Sequence, residues 1–191
     1  MSNVNCQMSI VNCRQRGFTI IEIMVVLALM TSFLLVLISN FPQIRLNLSL
    51  SRTVHGFLQN TRKIQNTSMK YKDANGVERP ISGYGVYVDM SDNKKYIIYA
   101  DKYPGNFQYD LGDYLVSVID LSVIEPGIII KEVQNVVGNN VSINFTPPGP
   151  TTTITQLQPN QSNVNIIFAI EDDLAQERTV SVNTSGLVEI K

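Results

Sequence analysis

No charged side chain occurs anywhere in residues 23–44, and residues 20–38 are dominated by Ile, Leu, Val, Met, Phe and Ala. A helix of about 20 such residues spans the hydrocarbon core of a bilayer. The run is longer than the apolar core of a secretory signal peptide, and no small-residue cleavage site follows it. It therefore reads as a single transmembrane helix over 18–39. Arg14 and Arg16 precede it, and every Asp and Glu lies at or after Glu22. The positive-inside rule places the short N-terminal side in the cytoplasm and the remaining chain outside.

One residue resists the plain anchor reading. Glu22 stands inside the apolar stretch. A lone carboxylate there costs roughly 2.5–3.5 kcal/mol on insertion scales and wants a cationic partner. Cutting the chain after Gly17 would supply one, because Phe18 would then carry a free α-ammonium. Residues four apart share a helix face, so Phe18 and Glu22 meet loosely within one chain. Between chains, Glu22 of one subunit would pair with the amine of its neighbour and select one axial stagger.

The sequence Arg14-Gln15-Arg16-Gly17, then Phe18-Thr19-Ile20-Ile21-Glu22, then the apolar run, resembles the class III signal of type IV prepilins and pseudopilins. The resemblance implies that residues 1–17 are a leader removed by a membrane prepilin peptidase, with cleavage between Gly17 and Phe18. It also implies N-methylation of Phe18, assembly through Glu22, and other pilin or pseudopilin subunits as partners. Removal of the leader leaves 13 basic against 16 acidic side chains, a net charge of −3.

Beyond the membrane span an amphipathic extension is expected over 40–72. Leu46, Leu50, Val54, Phe57, Thr61 and Ile64 recur at spacings of three and four, the stripe of a helix with one buried face. Arg45, Ser49, Arg52, Gln59, Arg62 and Lys63 fall on other faces. Asn40-Phe41-Pro42 marks an expected kink, since proline removes a backbone donor and clashes with the preceding turn. Turn chemistry at Asp73-Ala74-Asn75-Gly76 opens a β-rich exported domain over 73–191. Expected strands are Tyr84–Asp89 and Tyr96–Ala100, a hairpin about Ser91-Asp92-Asn93, then Leu115–Leu121, Gly127–Glu132, Val141–Phe145 and Val164–Ile170. A last hairpin joins Thr179–Val182 to Leu187–Ile190. Residues 146–163, rich in Pro, Thr and Gln, read as a long exposed loop or a mobile excursion. The fold class is α+β, a long N-terminal helix packed on an antiparallel β domain. The stretches SGYGVYVD, YIIYAD with YDLGD, and RTVSVNTSGLVEIK resemble the GspH-type minor pseudopilins in particular.

Several functions are disfavoured by composition. Cys6 and Cys13 are the only cysteines, so the body has neither a disulfide framework nor a thiolate metal site. Neither follows an apolar region, which excludes a lipoprotein signal. His55 is the only histidine, and it reads as a helix-face residue making ordinary contacts rather than as a base or ligand. No nucleophile elbow, phosphate loop or zinc-protease motif occurs, so an enzyme is not expected. The last twenty residues hold Arg178 and Lys191 against Asp172, Asp173, Glu177 and Glu189, which argues against nucleic acid. No cofactor is expected. The segment from Asp101 to Asp113 raises a calcium alternative with Asp101, Asn106, Asp110 and Asp113 as oxygen ligands. Against it stands a solvated turn whose aspartates bond local backbone donors. Tyr84, Tyr87, Tyr96 and Tyr99 read as sheet packing or as a partner surface, and Glu171-Asp172-Asp173 as a charged turn. The competing overall reading is a signal-anchored extracytoplasmic binding protein that never assembles.

Overall fold

The computed structural model describes residues 18–68, 81–147 and 151–191. The chain divides into two units, Met1–Phe41 and Pro42–Lys191. The helix α1 (Ile20–Ser68) contributes to both, with Pro42 inside it. The expected kink at Asn40-Phe41-Pro42 falls inside this helix. The turn expected at 73–76 lies outside the described residues.

In the first unit α1 is apolar on every side. Phe18, Met24, Leu29, Phe33 and Leu37 are all exposed. The hydroxyls of Thr31 and Ser32 donate to the Ala28 carbonyl at 3.0 and 2.9 Å. Two polar groups in the run are thereby satisfied within the helix, as a hydrocarbon environment requires.

Among the described residues the second unit is built from nine antiparallel strands and the remainder of α1. The strands are β1 (Ile81–Asp89), β2 (Lys95–Lys102), β3 (Tyr114–Asp120), β4 (Ile128–Gln134), β5 (Asn140–Thr146), β6 (Thr151–Ile154), β7 (Asn163–Ile170), β8 (Asp173–Asn183) and β9 (Val188–Ile190). They form one sheet of order β3-β2-β1-β5-β6 and a second of order β4-β7-β8-β9. A short 3-10 turn (Met90–Asp92) joins β1 to β2, and a helical turn α2 (Leu121–Ile124) follows β3. Asp89 and Asp120 cap these turns by accepting the Ser91 and Ser122 amides.

The stripe on α1 is the centre of the core. Leu50, Val54, Phe57, Thr61 and Ile64 are buried, and Leu46 packs against them. The Phe57 ring meets Tyr96 of the first sheet edge-on at 5.0 Å and Phe168 of the second at 5.4 Å. One helical residue thus touches both sheets. Val86 and Val88 on β1, Ile143 and Phe145 on β5, and Ile166 on β7 complete the apolar layer. Polar contacts also pin the helix: Asn60 donates to the Tyr96 hydroxyl at 2.8 Å, Arg62 to the Val188 carbonyl, and Gln65 to the Gly186 carbonyl, the last two at 3.1 Å.

Two expectations are corrected. Ser49 does not lie on an exposed face: it is buried, and its hydroxyl donates to Glu125 at 2.6 Å. Residues 146–163 are not one exposed loop, because β6 pairs with β5 within them, with Thr152 opposite Phe145 and Ile154 opposite Ile143. Thr151-Thr152-Thr153-Ile154 is β-branched throughout, which suits a pleated strand. The adjoining prolines gave the whole stretch the composition of a loop. The β8–β9 hairpin turns where expected, with Gly186 at φ +85°, a conformation that suits glycine.

Candidate functional site

The N-terminal site begins where α1 begins. Thr19 precedes the helix, and its hydroxyl accepts the Glu22 amide at 3.3 Å. Its carbonyl accepts the Glu22 and Ile23 amides at 3.1 and 3.2 Å. Thr19 is therefore the helix cap and Glu22 the third helical residue. This is the threonine half of the Thr-x-x-Glu capping pattern, which satisfies amides that have no partner within the helix. The sequence placed Thr19 in the motif but gave it no role.

Glu22 is the acidic residue of the first turn of α1. A carboxylate there is favoured by the helix dipole by about 0.3–1 kcal/mol. That is less than the roughly 2.5–3.5 kcal/mol cost of placing it in a membrane. The helix end thus offsets part of the cost and leaves room for a cation. Phe18 and Glu22 line one shallow depression of about 290 Å³ together with Ile23, Val26 and Leu27. The structure so brings together two of the expected residues. Gly17, Arg14 and Arg16 lie outside the described residues. The segment from Ile20 is long and apolar enough to cross a membrane.

A second cluster lies on the outer face of the first sheet. Residues 103–113 fold over β1 and β2. The Asp101 carboxylate, 1% exposed, accepts the Phe107 amide at 2.9 Å and faces the Asn144 amide group at 3.4 Å. Asp113 accepts the Lys102 amide with one oxygen and the Asp110 amide with the other, both at 3.0 Å. Asp110 accepts Gly112 N–H at 2.7 Å and the Asn106 amide group at 3.2 Å. Burial raises the Asp101 pKa above its ordinary value, and the negative charge of Asp113 and Asp110 adds to this. Tyr99 lies beneath the loop, where burial pushes its hydroxyl up to about 12.

Asp101, Asn106, Asp110 and Asp113 do line one open cavity of about 220 Å³. Their oxygens are engaged by local donors, as in the turn alternative. Among the described residues no group of three or more His, Cys, Asp or Glu is placed to hold a metal ion. The tyrosines divide: Tyr84, Tyr96 and Tyr99 are buried, and Tyr87 is half-buried against Tyr109 at 5.0 Å. His55 is exposed on α1.

Two glycines make this outer face possible. A Cβ on Gly85 would meet the Tyr99 ring at 2.5 Å, and one on Gly83 would meet Asn144 Oδ1 at 2.4 Å. The side chains of Tyr99 and Asn144 therefore occupy the space of the missing side chains on β1. Asn144 comes from β5, far along the chain, whereas Tyr99 stands directly opposite Gly85 in the β1–β2 hairpin.

Among known protein families, the model of the prokaryotic N-terminal methylation motif matches residues 12–38. No curated protein and no solved structure matches the chain. The matched span contains Arg14, Arg16, Gly17, Phe18, Thr19 and Glu22 together with the apolar run. The N-terminal segment of the chain is thus a prokaryotic N-terminal methylation motif, which supports a type IV pilin-like or pseudopilin character and the signal of a prepilin peptidase substrate.

Proposed function

We propose that this protein is a minor subunit, of the GspH kind, in a type IV pilus or a type II secretion-like filament. The observation that carries the reading is the methylation motif with Glu22 as the lone charge on the apolar helix. The leader 1–17 stays in the cytoplasm, and the peptidase cuts between Gly17 and Phe18 and methylates the new amine. Residues 18–39 hold the subunit in the cytoplasmic membrane with the β-rich body outside. Glu22 then docks on the N-terminal amine of a neighbouring subunit. Helices leave the bilayer into a bundle, where shared burial of apolar surface, at about 25 cal/mol per Å², favours assembly over exposure to water. The mechanism is structural rather than catalytic and uses no cofactor.

The test is intact-mass and N-terminal analysis after coexpression with a prepilin peptidase, followed by assembly of Glu22→Val. The expected product starts at N-methyl-Phe18. Glu22→Val should insert normally and incorporate into filaments at less than about a tenth of the wild-type level, the equivalent of losing roughly 1.4 kcal/mol. An uncut chain beside a cleaved control substrate, or equal incorporation of Glu22→Val, would return the protein to the signal-anchored binding protein.

A further inference from the structure

The edge of the first sheet carries a feature that neither processing nor helix docking uses. β3 pairs with β2 on one side and with no strand on the other among the described residues. Edge strands in soluble proteins are commonly protected by lysine, proline or a covering segment. β3 has no lysine or proline: Tyr114 to Ile119 is uncharged. Leu115, Val116 and Val118 are 57%, 48% and 45% exposed. Val116 sits at a bulge, skipped between the Leu115–Tyr99 and Ser117–Ile98 pairs. Beside the strand runs an apolar groove of about 300 Å³ lined by Lys63, Ile64, Tyr84, Ile98, Val116 and Ile119. It offers room for the inward side chains of one more strand.

Charge selects the occupant. From 103 to 130 the sequence contains no Lys or Arg, but it contains Asp110, Asp113, Asp120 and Glu125. At the far end of the edge these acids are matched: Lys95 approaches Asp120 at 4.0 Å and Arg52 approaches Glu125 at 3.8 Å. At the near end, Asp113 directly precedes β3. Among the described residues no cation forms an ion pair with Asp113 or Asp110, and Lys102, which lines the same cavity, makes none to either. Every pairing in the sheet is antiparallel. A strand added in that sense lays its C-terminal end beside Asp110 and Asp113. Two β3 strands from identical chains would instead bring each Asp113 toward the other's Asp120, and like charges across strands are unfavourable.

We propose that β3 is a docking edge that takes, by antiparallel strand addition, an extended segment of a different protein, apolar at alternate positions and basic at its C-terminal end. Main-chain hydrogen bonds supply the attachment and the groove and acids supply the choice, as in other strand-addition complexes. The inference goes beyond the filament reading and does not depend on cleavage at Gly17.

The probe is a short fluorescent peptide of alternating valine and threonine ending in lysines, added to the full chain in detergent micelles. Anisotropy should show binding, and hydrogen exchange should slow at amides within Tyr114–Asp120. A peptide with the lysines moved to its N-terminal end should bind about tenfold more weakly. Asp110→Asn should narrow that difference, and Leu115→Lys, at an exposed position, should abolish binding while leaving exchange in β7 unchanged. Equal binding of both peptides would overturn the proposal, as would protection outside β3. A concentration-dependent dimer that protects β3 without peptide would replace the partner with a second copy.

Discussion

Phe33 and Phe57 lie on the same helix and meet opposite fates. Phe33 is 67% exposed, surrounded by residues as apolar as itself, whereas Phe57 is 0% exposed between Tyr96 and Phe168. The first segment is apolar all round, a pattern suited to lipid or to a bundle of identical neighbours. The second is apolar along one stripe, a pattern suited to one pre-existing surface. The two segments thus obtain their partners differently. Residues 20–38 have the composition to find theirs in lipid or in neighbouring apolar helices, and residues 46–64 have theirs in the two sheets.

The sharpest way to break this contrast is to truncate the two phenylalanines. Phe57→Ala should destabilise the body by about 3–5 kcal/mol, because it removes contacts to both sheets and leaves a cavity. Phe33→Ala should stay within about 0.5 kcal/mol. Chemical denaturation in detergent, read by near-ultraviolet tyrosine signals, measures both, and comparable losses would refute the contrast between the two segments. Next in size is Gly85→Ala. The added methyl meets the Tyr99 ring, so overpacking of about 1–3 kcal/mol is expected on the same scale.

A pH series sharpens the comparison, since the body holds a buried carboxylate where the apolar helix holds an exposed one. The folded pKa of Asp101 is raised above its ordinary 3.8, first by burial. The folded state therefore binds the proton more tightly than the unfolded chain. Stability from this group is fully present below the unfolded pKa and falls as pH rises through the folded value. Asp101→Asn should remove that downward slope. A denaturation midpoint whose pH dependence is unchanged in the variant would show that Asp101 does not supply it. The smallest effect belongs to Arg52→Ala. Arg52 is 70% exposed and 3.8 Å from Glu125, and its loss should cost less than about 1 kcal/mol by thermal melting.

Much of this architecture was legible because hydrophobic periodicity is local. The stripe from Leu46 to Ile64, the β1–β2 hairpin and the β8–β9 hairpin were all written in spacing and turn residues. Ser49 and β6 were missed for the same underlying reason. A serine reads as polar until Glu125, far along the chain, approaches it. Four β-branched residues just after Pro147, Pro148 and Pro150 read as loop until β5 pairs with them. At the candidate site, Phe18 and Glu22 were visible as a motif. Thr19 was visible too, but its role needed the helix start to be located.

By itself the sequence determined the apolar, uncharged run, its lone Glu22 and the signal before it, because membrane insertion and peptidase recognition act on contiguous residues. It also determined an α+β plan, since periods of two and of three to four are properties of neighbouring positions. Only the tertiary structure decided that Phe57 joins two sheets, that Gly83 makes way for Asn144, and that β3 is an unpaired edge among the described residues. Those features arise from strand order and from contacts between distant segments, and no local pattern specifies either.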